Sequence, residues 1–216
     1  MGLLNRLAPR RADIEPLPGP PAPAPVDDSV FATKALRKLL SALMISESPV
    51  LIDLGPVVGS NVSFFGEQVG CKIFVEDLFA DVDRHARSGS LDALPQFFAK
   101  RLPQQSGTVD GILCWDLFDY LDKPSAQVLA NELTRVLRPD GALLAFFSNA
   151  PSSVTQYTKY TIVDENTLKH RPYPAACARQ AARANGEIIK LFSGLRVAES
   201  FLLLNKLREL LFRKPV

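Results

Sequence analysis

The chain has 216 residues, of which 47% are hydrophobic, and this is enough apolar material for one domain with a full core. Its formal net charge of +2 is nearly neutral for this length. That balance argues against a dedicated nucleic-acid-binding surface and makes acidic polymers poor candidate partners. The three cysteines, Cys71, Cys114 and Cys177, are widely spaced and form no CxxC pair, which predicts reduced thiols.

The first 27 residues differ in composition from the rest of the chain, because they contain seven of its 17 prolines. Such a segment favours an extended, solvated conformation, so we expect a disordered tail at 1–27 and one domain at 28–216. The tail is a candidate docking segment for a protein partner. No stretch has the pattern of a secretory signal or the apolar length of a membrane span, which predicts a cytoplasmic protein without stable membrane insertion.

The domain is predicted to open with a helix and one βαβ unit. Apolar spacing in SVFATKALRKLLSALM predicts a helix that starts at Asp28 or Ser29 and carries Phe31 on its apolar face. A strand at 50–54, a helix from about 60 to 69 and a second strand at 71–77 follow it.

Helices and strands continue to alternate through the middle of the chain. LFADVDRHA and LPQFFAKRL read as helices, VDGILCW as a buried strand, and residues 125–137 as a helix with an apolar face. The turn RPDG is then expected to lead into the strand ALLAFFS. This alternation predicts an α/β protein with a mostly parallel sheet whose two faces are covered by helices.

The last third of the chain has a different pattern. We expect a hairpin within 157–174 that turns at Asp164 to Asn166 and belongs to a candidate lid or insertion at 151–175. A helix is predicted in ACARQAARANGEIIKLF, with a break at Asn185 and Gly186. RVAESFLLL and LRELLFRK are predicted to form an antiparallel hairpin at the sheet edge, with a helix as the alternative for the second run.

The segment VLIDLGPVVGSN, residues 50–61, carries the strongest functional signal. A buried strand ends at Asp53, and Gly55 and Gly59 allow the backbone to turn sharply and to approach a ligand. Open α/β sheets bind ligands at this end of their strands. A glycine turn that serves packing alone is the alternative, and a dinucleotide-binding GxGxxG loop fits poorly because only two of its glycines can be placed.

The order of the motifs resembles that of class I S-adenosylmethionine (SAM)-dependent methyltransferases from about Phe31 to the C-terminus. The glycine loop is followed by an acid, then by DGILCWDLFDYL, then by LTRVLRPDGALLAFF. The chain departs from the family pattern at Val57, where the family usually has a middle glycine. The resemblance implies a three-layer Rossmann-like fold and SAM as the cofactor.

The resemblance also implies roles for individual residues. Asp53 corresponds to an acid near the methionine ammonium of SAM, Asp77 or its competitor Glu76 to the acid on the ribose hydroxyls, and Trp115 to the region that faces the methyl group. Asp92 corresponds either to an acid that meets the adenine amino group or to a helix cap. The full set of candidate cofactor-binding residues is Asp53, Gly55, Gly59, Asn61, Glu76, Asp77, Asp92, Trp115 and Asp116.

Methyl transfer is an in-line displacement and requires no fixed catalytic residue, so spacing alone does not identify one. The candidate general bases are Asp116, Tyr160, His170 and Tyr173. The expected acceptor is a small molecule or a protein. Two histidines and dispersed cysteines predict no metal site.

A non-catalytic module of the same fold is the alternative function, and it would bind a protein partner through the tail or through residues 151–175. Val57 discriminates between the two functions, because a branched side chain in the loop would either occlude the pocket or be accommodated.

Overall fold

The computed structural model describes residues 29–149, 154–180 and 182–216, so the predicted tail at 1–27 lies outside the described residues. The strands are β1 (Ser29–Ala32), β2 (Val50–Asp53), β3 (Lys72–Val75), β4 (Val109–Trp115), β5 (Leu137–Ser148), β6 (Gln156–Asp164), β7 (Thr167–Pro174), β8 (Arg196–Leu202) and β9 (Leu207–Arg213). The α-helices are α1 (Ala35–Leu43), α2 (Gly59–Ser63), α3 (Leu78–Arg87), α4 (Leu94–Arg101), α5 (Lys123–Val136) and α6 (Asn185–Leu191).

A six-stranded sheet in the order β3-β2-β4-β5-β9-β8 forms the middle layer. Its first four strands are parallel, whereas β9 pairs antiparallel with both β5 and β8. The predicted fold class, a mostly parallel sheet with an antiparallel C-terminal hairpin, is therefore confirmed. Because the segment LRELLFRK contains the strand β9, the helical alternative for it is wrong.

The two faces of this sheet are covered by separate hydrophobic clusters. Ile52 and Ile112 belong to the cluster that includes residues of α3, α4, α5 and α6. Leu51 and Leu113 point to the opposite face and pack in a cluster with α1 and the β6–β7 hairpin. Successive strand residues thus serve opposite faces, which explains why the central strands are continuously apolar in sequence.

A second, three-stranded antiparallel sheet has the order β1-β7-β6. It contains the predicted hairpin as β6 and β7. Its remaining strand, β1, shows that the prediction of a helix beginning at Asp28 or Ser29 is wrong. Phe31 lies in β1 opposite Leu168, and the helix α1 starts only at Ala35. The strand β7, which lies far away in the sequence, supplies the hydrogen-bond partners for the backbone of β1. Tertiary pairing therefore overrides the helical pattern of this segment.

Three further predictions differ from the structure in detail. The helix expected at about 60–69 is α2 followed by one π-helical turn, Phe64–Gln68. Among its described residues, the helix expected over 176–192 forms only as α6, which starts at the predicted break. RPDG lies within β5 instead of forming a separate turn, and Asp140 there has a positive φ of 56°. None of the helices in the described ranges is long and apolar enough to span a membrane.

The start of α1 depends on a buried acid from β9. Glu209 is fully buried, and its carboxylate accepts hydrogen bonds of 2.8 Å from the backbone N–H groups of Lys34 and Ala35. These two N–H groups have no intrahelical partner, and a negative charge is favourable at a helix N-terminus.

We expect Glu209→Ala to lower the free energy of unfolding by about 2 to 4 kcal/mol, because one buried and one partly buried N–H donor lose their acceptor. Denaturant-induced unfolding measures the change. The control is Glu199→Ala in β8, where the acid forms a 3.6 Å ion pair with Lys38 at the surface. That change should cost less than about 1 kcal/mol. Equal effects of the two substitutions would contradict the role of Glu209.

Candidate functional site

A groove of about 620 Å³ lies beside the carboxyl ends of β2 and β3. Pro56 of the glycine loop, Asp77 and Phe79 line one part of it, and Tyr157 and Lys159 of the hairpin line another. The groove therefore lies where an open α/β sheet offers a ligand crevice, between the loop after β2, the start of α3 and the hairpin.

Asp77 is the acid that faces this groove. It has a positive φ of 41°, and its carboxylate accepts a hydrogen bond of 3.1 Å from the backbone N–H of Ala80 at the start of α3. Partial burial raises the pKa of Asp77, and the hydrogen bond from Ala80 opposes that shift. The residue thus caps a helix and lines the groove at the same time.

Glu76 does not line the groove. Its carboxylate is 2.5 Å from the guanidinium of Arg101 and accepts a hydrogen bond of 2.9 Å from the Gln104 side chain. Arg101 also contacts Asp81, which links β3, α3 and α4. The two adjacent acids therefore have different positions: Asp77 faces the groove, whereas Glu76 connects the end of β3 to α4.

Asp53 lies at the end of β2, and its carboxylate has two donors from the chain itself. The backbone N–H of Gly55 donates at 2.9 Å, and the indole Nε1 of Trp115 donates at 2.7 Å. Burial raises the pKa of Asp53 from 3.8 to about 6, although both hydrogen bonds lower it. A buried carboxyl group requires such partners because burial without them is costly.

The glycine loop is tight at its first glycine and open afterwards. A Cβ atom placed on Gly55 would lie 2.5 Å from Cδ1 of Trp115, so only glycine permits this approach of the indole. Gly59 has open space around it and begins α2. Val57 is 61% exposed, and its side chain therefore does not fill the crevice.

Trp115 fills the space against Gly55. The backbone of Trp115 has a positive φ of 50°, which is unusual for a residue with a bulky side chain. Only 2% of the residue's surface is exposed. The indole stacks on the Tyr160 ring with a centroid separation of 5.1 Å and an interplanar angle of 5°. The end of β4 thus delivers a side chain into the crevice, where the hairpin covers it.

Asn61, a predicted cofactor-binding residue, instead fastens the hairpin to α2. Its side-chain Nδ2 donates to the carbonyl oxygen of Tyr160 at 2.8 Å, and its Oδ1 accepts from the backbone N–H of Ile162 at 2.8 Å. The Asn61 side chain is buried. It supplies these two backbone groups with the hydrogen-bond partners that a neighbouring strand would otherwise provide.

Asp116 is fully buried and forms an ion pair with Arg179 at 2.5 Å. Burial raises the pKa of the Asp116 carboxyl, and the Arg179 charge opposes this shift. Arg179 also donates from Nε to the Tyr120 hydroxyl at 3.2 Å. Sequence reasoning missed Arg179, because a lone arginine in a segment with a helical pattern gives no signal that it pairs with an acid 63 residues away.

The remaining candidate bases pack as aromatic residues of the hairpin. The His170 ring lies 4.4 Å from the Phe31 ring and 4.8 Å from the Tyr160 ring, measured between centroids. Burial, together with the Arg179 charge, lowers the pKa of His170 to about 4, so the imidazole is neutral at pH 7. Tyr173 is stacked on the other face of the hairpin, against a second tyrosine.

Asp92 differs from both of its sequence interpretations. It is exposed in the short turn before α4 and neither lines the groove nor caps that helix, whose N-cap is Ala93. Asp119, another acid after β4, is buried and accepts from the Ser148 backbone N–H at 2.8 Å. Across the described ranges, no group of three or more His, Cys, Asp or Glu side chains is placed to hold a metal ion.

The buried carboxyl of Asp53 makes a pH-dependent contribution to stability. Its pKa in the folded protein, about 6, lies above its ordinary value of 3.8, so folding favours the protonated form. The contribution is therefore complete below about pH 4 and is lost as the pH rises through about 6.

We expect the free energy of unfolding of the wild type, relative to Asp53→Asn, to fall by about 2 to 3 kcal/mol between pH 4 and pH 7. Denaturant titrations of both proteins at a series of pH values measure this difference. A difference that stays constant over the range would show that folding leaves the pKa of Asp53 unshifted.

Comparisons with known proteins agree with this architecture. Residues 52–145 match the sequence model of a family described as a methyltransferase domain. A search of curated proteins gave no match.

Solved structures share the fold at low sequence identity. One is the Burkholderia thailandensis 1,6-didemethyltoxoflavin-N1-methyltransferase with bound 1,6-didemethyltoxoflavin and S-adenosylhomocysteine, at 16% identity and a TM-score of 0.51 over 84% of this chain and 79% of that one. Another is the PH0226 protein from Pyrococcus horikoshii OT3, at 16% identity and a TM-score of 0.51 over 83% and 88%. A third is a chain of the Haloferax volcanii complex that contains the Trm112 methyltransferase activator. It matches at 14% identity and a TM-score of 0.52 over 83% of this chain and 88% of that one. The chain thus matches the methyltransferase-domain model over residues 52–145 and shares its fold with these solved structures.

Proposed function

We propose that the protein transfers the methyl group of SAM to a small molecule or to a protein side chain. The observation that carries the proposal is the position of Asp77, which lines a groove beside the glycine loop in a domain that matches the methyltransferase family. The three free cysteines support a cytoplasmic setting for this activity.

The groove suits the nucleoside end of SAM. A carboxylate such as that of Asp77 can accept two hydrogen bonds from neighbouring ribose hydroxyls. Phe79 and Tyr157 supply aromatic surface beside it, with ring centroids 5.7 Å apart. Lys159 is also part of the lining and favours an acceptor or ligand that carries negative charge.

The other end of the crevice does not fit the methionine portion of SAM in the described conformation. The carboxylate of Asp53, the implied partner of the methionine ammonium, is bound by Gly55 and Trp115. The indole also occupies the space against the glycine loop. No step of methyl transfer is therefore assigned to these residues in this conformation.

When bound, SAM supplies an electrophilic methyl group on a sulfonium, and the methyl–sulfur bond breaks as the bond to the acceptor forms. The protein contributes mainly by alignment and by exclusion of water. Among the candidate bases, His170 is neutral but weakly basic because of its lowered pKa. Asp116 is held by Arg179, so its role is better described as fixing the end of β4.

The filled crevice also favours a second candidate, a non-catalytic module of this fold. Such a protein would bind a partner through the Pro-rich tail or through the 151–175 region, and the Trp115 indole would be a permanent part of its core. The two functions differ in one measurable property, which is whether the folded protein binds SAM or its product S-adenosylhomocysteine.

We expect Asp77→Asn to weaken the binding of both adenosine and S-adenosylhomocysteine by about tenfold, since one charged acceptor is lost. Asparagine retains the helix cap and tolerates the positive φ, so the fold should be preserved. Calorimetric titration measures the affinities. Asp92→Asn is the matched control and should bind both ligands like the wild type. Equal binding by both variants would remove Asp77 from the site.

Val57→Gly should change the affinity for S-adenosylhomocysteine by less than about threefold, because the valine side chain is 61% exposed and leaves the crevice open. The same titration applies. A tenfold gain would instead show that the branched side chain obstructs the ligand.

A further inference from the structure

Two aromatic side chains from distant parts of the chain meet over the glycine loop. Trp115 comes from the end of β4, and Tyr160 comes from β6 of the hairpin. Their rings are parallel, and both side chains are buried, with 2% and 3% of their surfaces exposed. We call this pair the aromatic plug.

The backbone of the plug is held in an unfavourable conformation. Trp115 has a φ of 50°, in the left-handed region that glycine and asparagine adopt readily and bulky residues avoid. Such a conformation persists only where the surrounding contacts determine it. Here those contacts are the hydrogen bond to Asp53, the close approach to Gly55 and the stack on Tyr160.

The hairpin holds the second half of the plug through specific bonds. Asn61 binds the carbonyl oxygen of Tyr160 and the N–H of Ile162, so one buried amide fixes the hairpin backbone directly after the ring that covers the indole. The described contacts therefore couple the position of the indole to the docking of the hairpin on α2.

The Asp53 carboxylate is the group for which two occupants compete. The indole N–H is a neutral donor at 2.7 Å, whereas the ammonium of an amino acid is a charged donor. An ammonium adds the attraction of a full positive charge to the carboxylate, which the uncharged indole lacks, so a ligand ammonium can replace the indole at this acid.

Resting on the proposed function, we propose that the aromatic plug is an autoinhibitory contact: the Trp115 indole occupies the methionine end of the cofactor site, and SAM binds when the indole leaves the glycine loop. The nucleoside groove at Asp77 stays open in both states. If about 1% of the molecules have the indole displaced, the apparent affinity for SAM falls about a hundredfold, while the affinity for adenosine is unchanged.

The test compares S-adenosylhomocysteine with adenosine as ligands of the full-length protein, using calorimetry. In Trp115→Asn the asparagine suits the positive φ and removes the indole. We expect this variant to bind S-adenosylhomocysteine at least about tenfold more tightly than the wild type and to bind adenosine with the same affinity. The difference between the ligands isolates the methionine end of the site.

Trp115 is also the only tryptophan of the chain, so intrinsic fluorescence reports directly on the plug. Saturating S-adenosylhomocysteine should shift the wild-type emission to longer wavelength as the indole leaves its buried position, and adenosine should not.

Asn61→Ala provides a second variant, which loosens the hairpin and retains the tryptophan. We expect it to bind S-adenosylhomocysteine more tightly than the wild type, and it carries the test if Trp115→Asn does not fold. Phe98→Leu is the matched control, because Phe98 is a fully buried aromatic residue of the cluster on the opposite face of the sheet. That control should leave both affinities unchanged.

The outcomes separate the two proposals. Equal S-adenosylhomocysteine affinities in the wild type, Trp115→Asn and Asn61→Ala, with no shift in tryptophan emission, would overturn the plug and leave the methyltransferase function intact. The absence of S-adenosylhomocysteine binding in all three folded proteins would overturn both proposals and would favour the non-catalytic module.

Discussion

The carboxyl end of the sheet depends on the hydrogen bonding of one buried acid, Asp53. A carboxyl group without partners in this position would be costly, and the chain supplies it with the Gly55 N–H and the Trp115 indole N–H. Both donors impose conditions on their surroundings. The indole approaches so closely that residue 55 must be glycine, and the end of β4 must adopt a left-handed backbone to deliver it. One acid therefore determines the loop after β2 and the last residue of β4.

The second sheet extends this arrangement across the crevice. The β6–β7 hairpin places Tyr160 on the indole, and Asn61 of α2 fixes the hairpin backbone directly after this residue. An open α/β sheet offers one continuous ligand crevice at this end. In this protein the hairpin divides the crevice into a groove of about 620 Å³ at Asp77 and a part that the chain fills itself. On the proposed function, the nucleoside and methionine ends of the site would thus differ in accessibility.

The central strands and their succession along the chain could be predicted from the sequence, because buried parallel strands are continuous apolar runs separated by helical patterns. What failed depends on long-range partners. Phe31 is a strand residue because β7 pairs with it, and Arg179, in a segment with a helical pattern, lies outside any helix and binds Asp116. The choice between Glu76 and Asp77 likewise depends on Arg101, which is adjacent only in the folded chain. Local pattern contains no information about such pairings.

The site shows why the number of glycines in a loop is an incomplete guide to its ligand. Val57 is the visible departure from the family pattern, yet its side chain is largely exposed, so a Cβ atom there costs the crevice no space. Gly55 follows the pattern, but in this conformation the close approach that it allows is made by Trp115. A glycine establishes that something lies close to the backbone and leaves open whether that is a ligand or a side chain. On the proposed function, residue 115 decides cofactor access: the family resemblance placed Trp115 near the methyl group, but the sequence could not indicate that Tyr160 would hold its indole against the glycine loop.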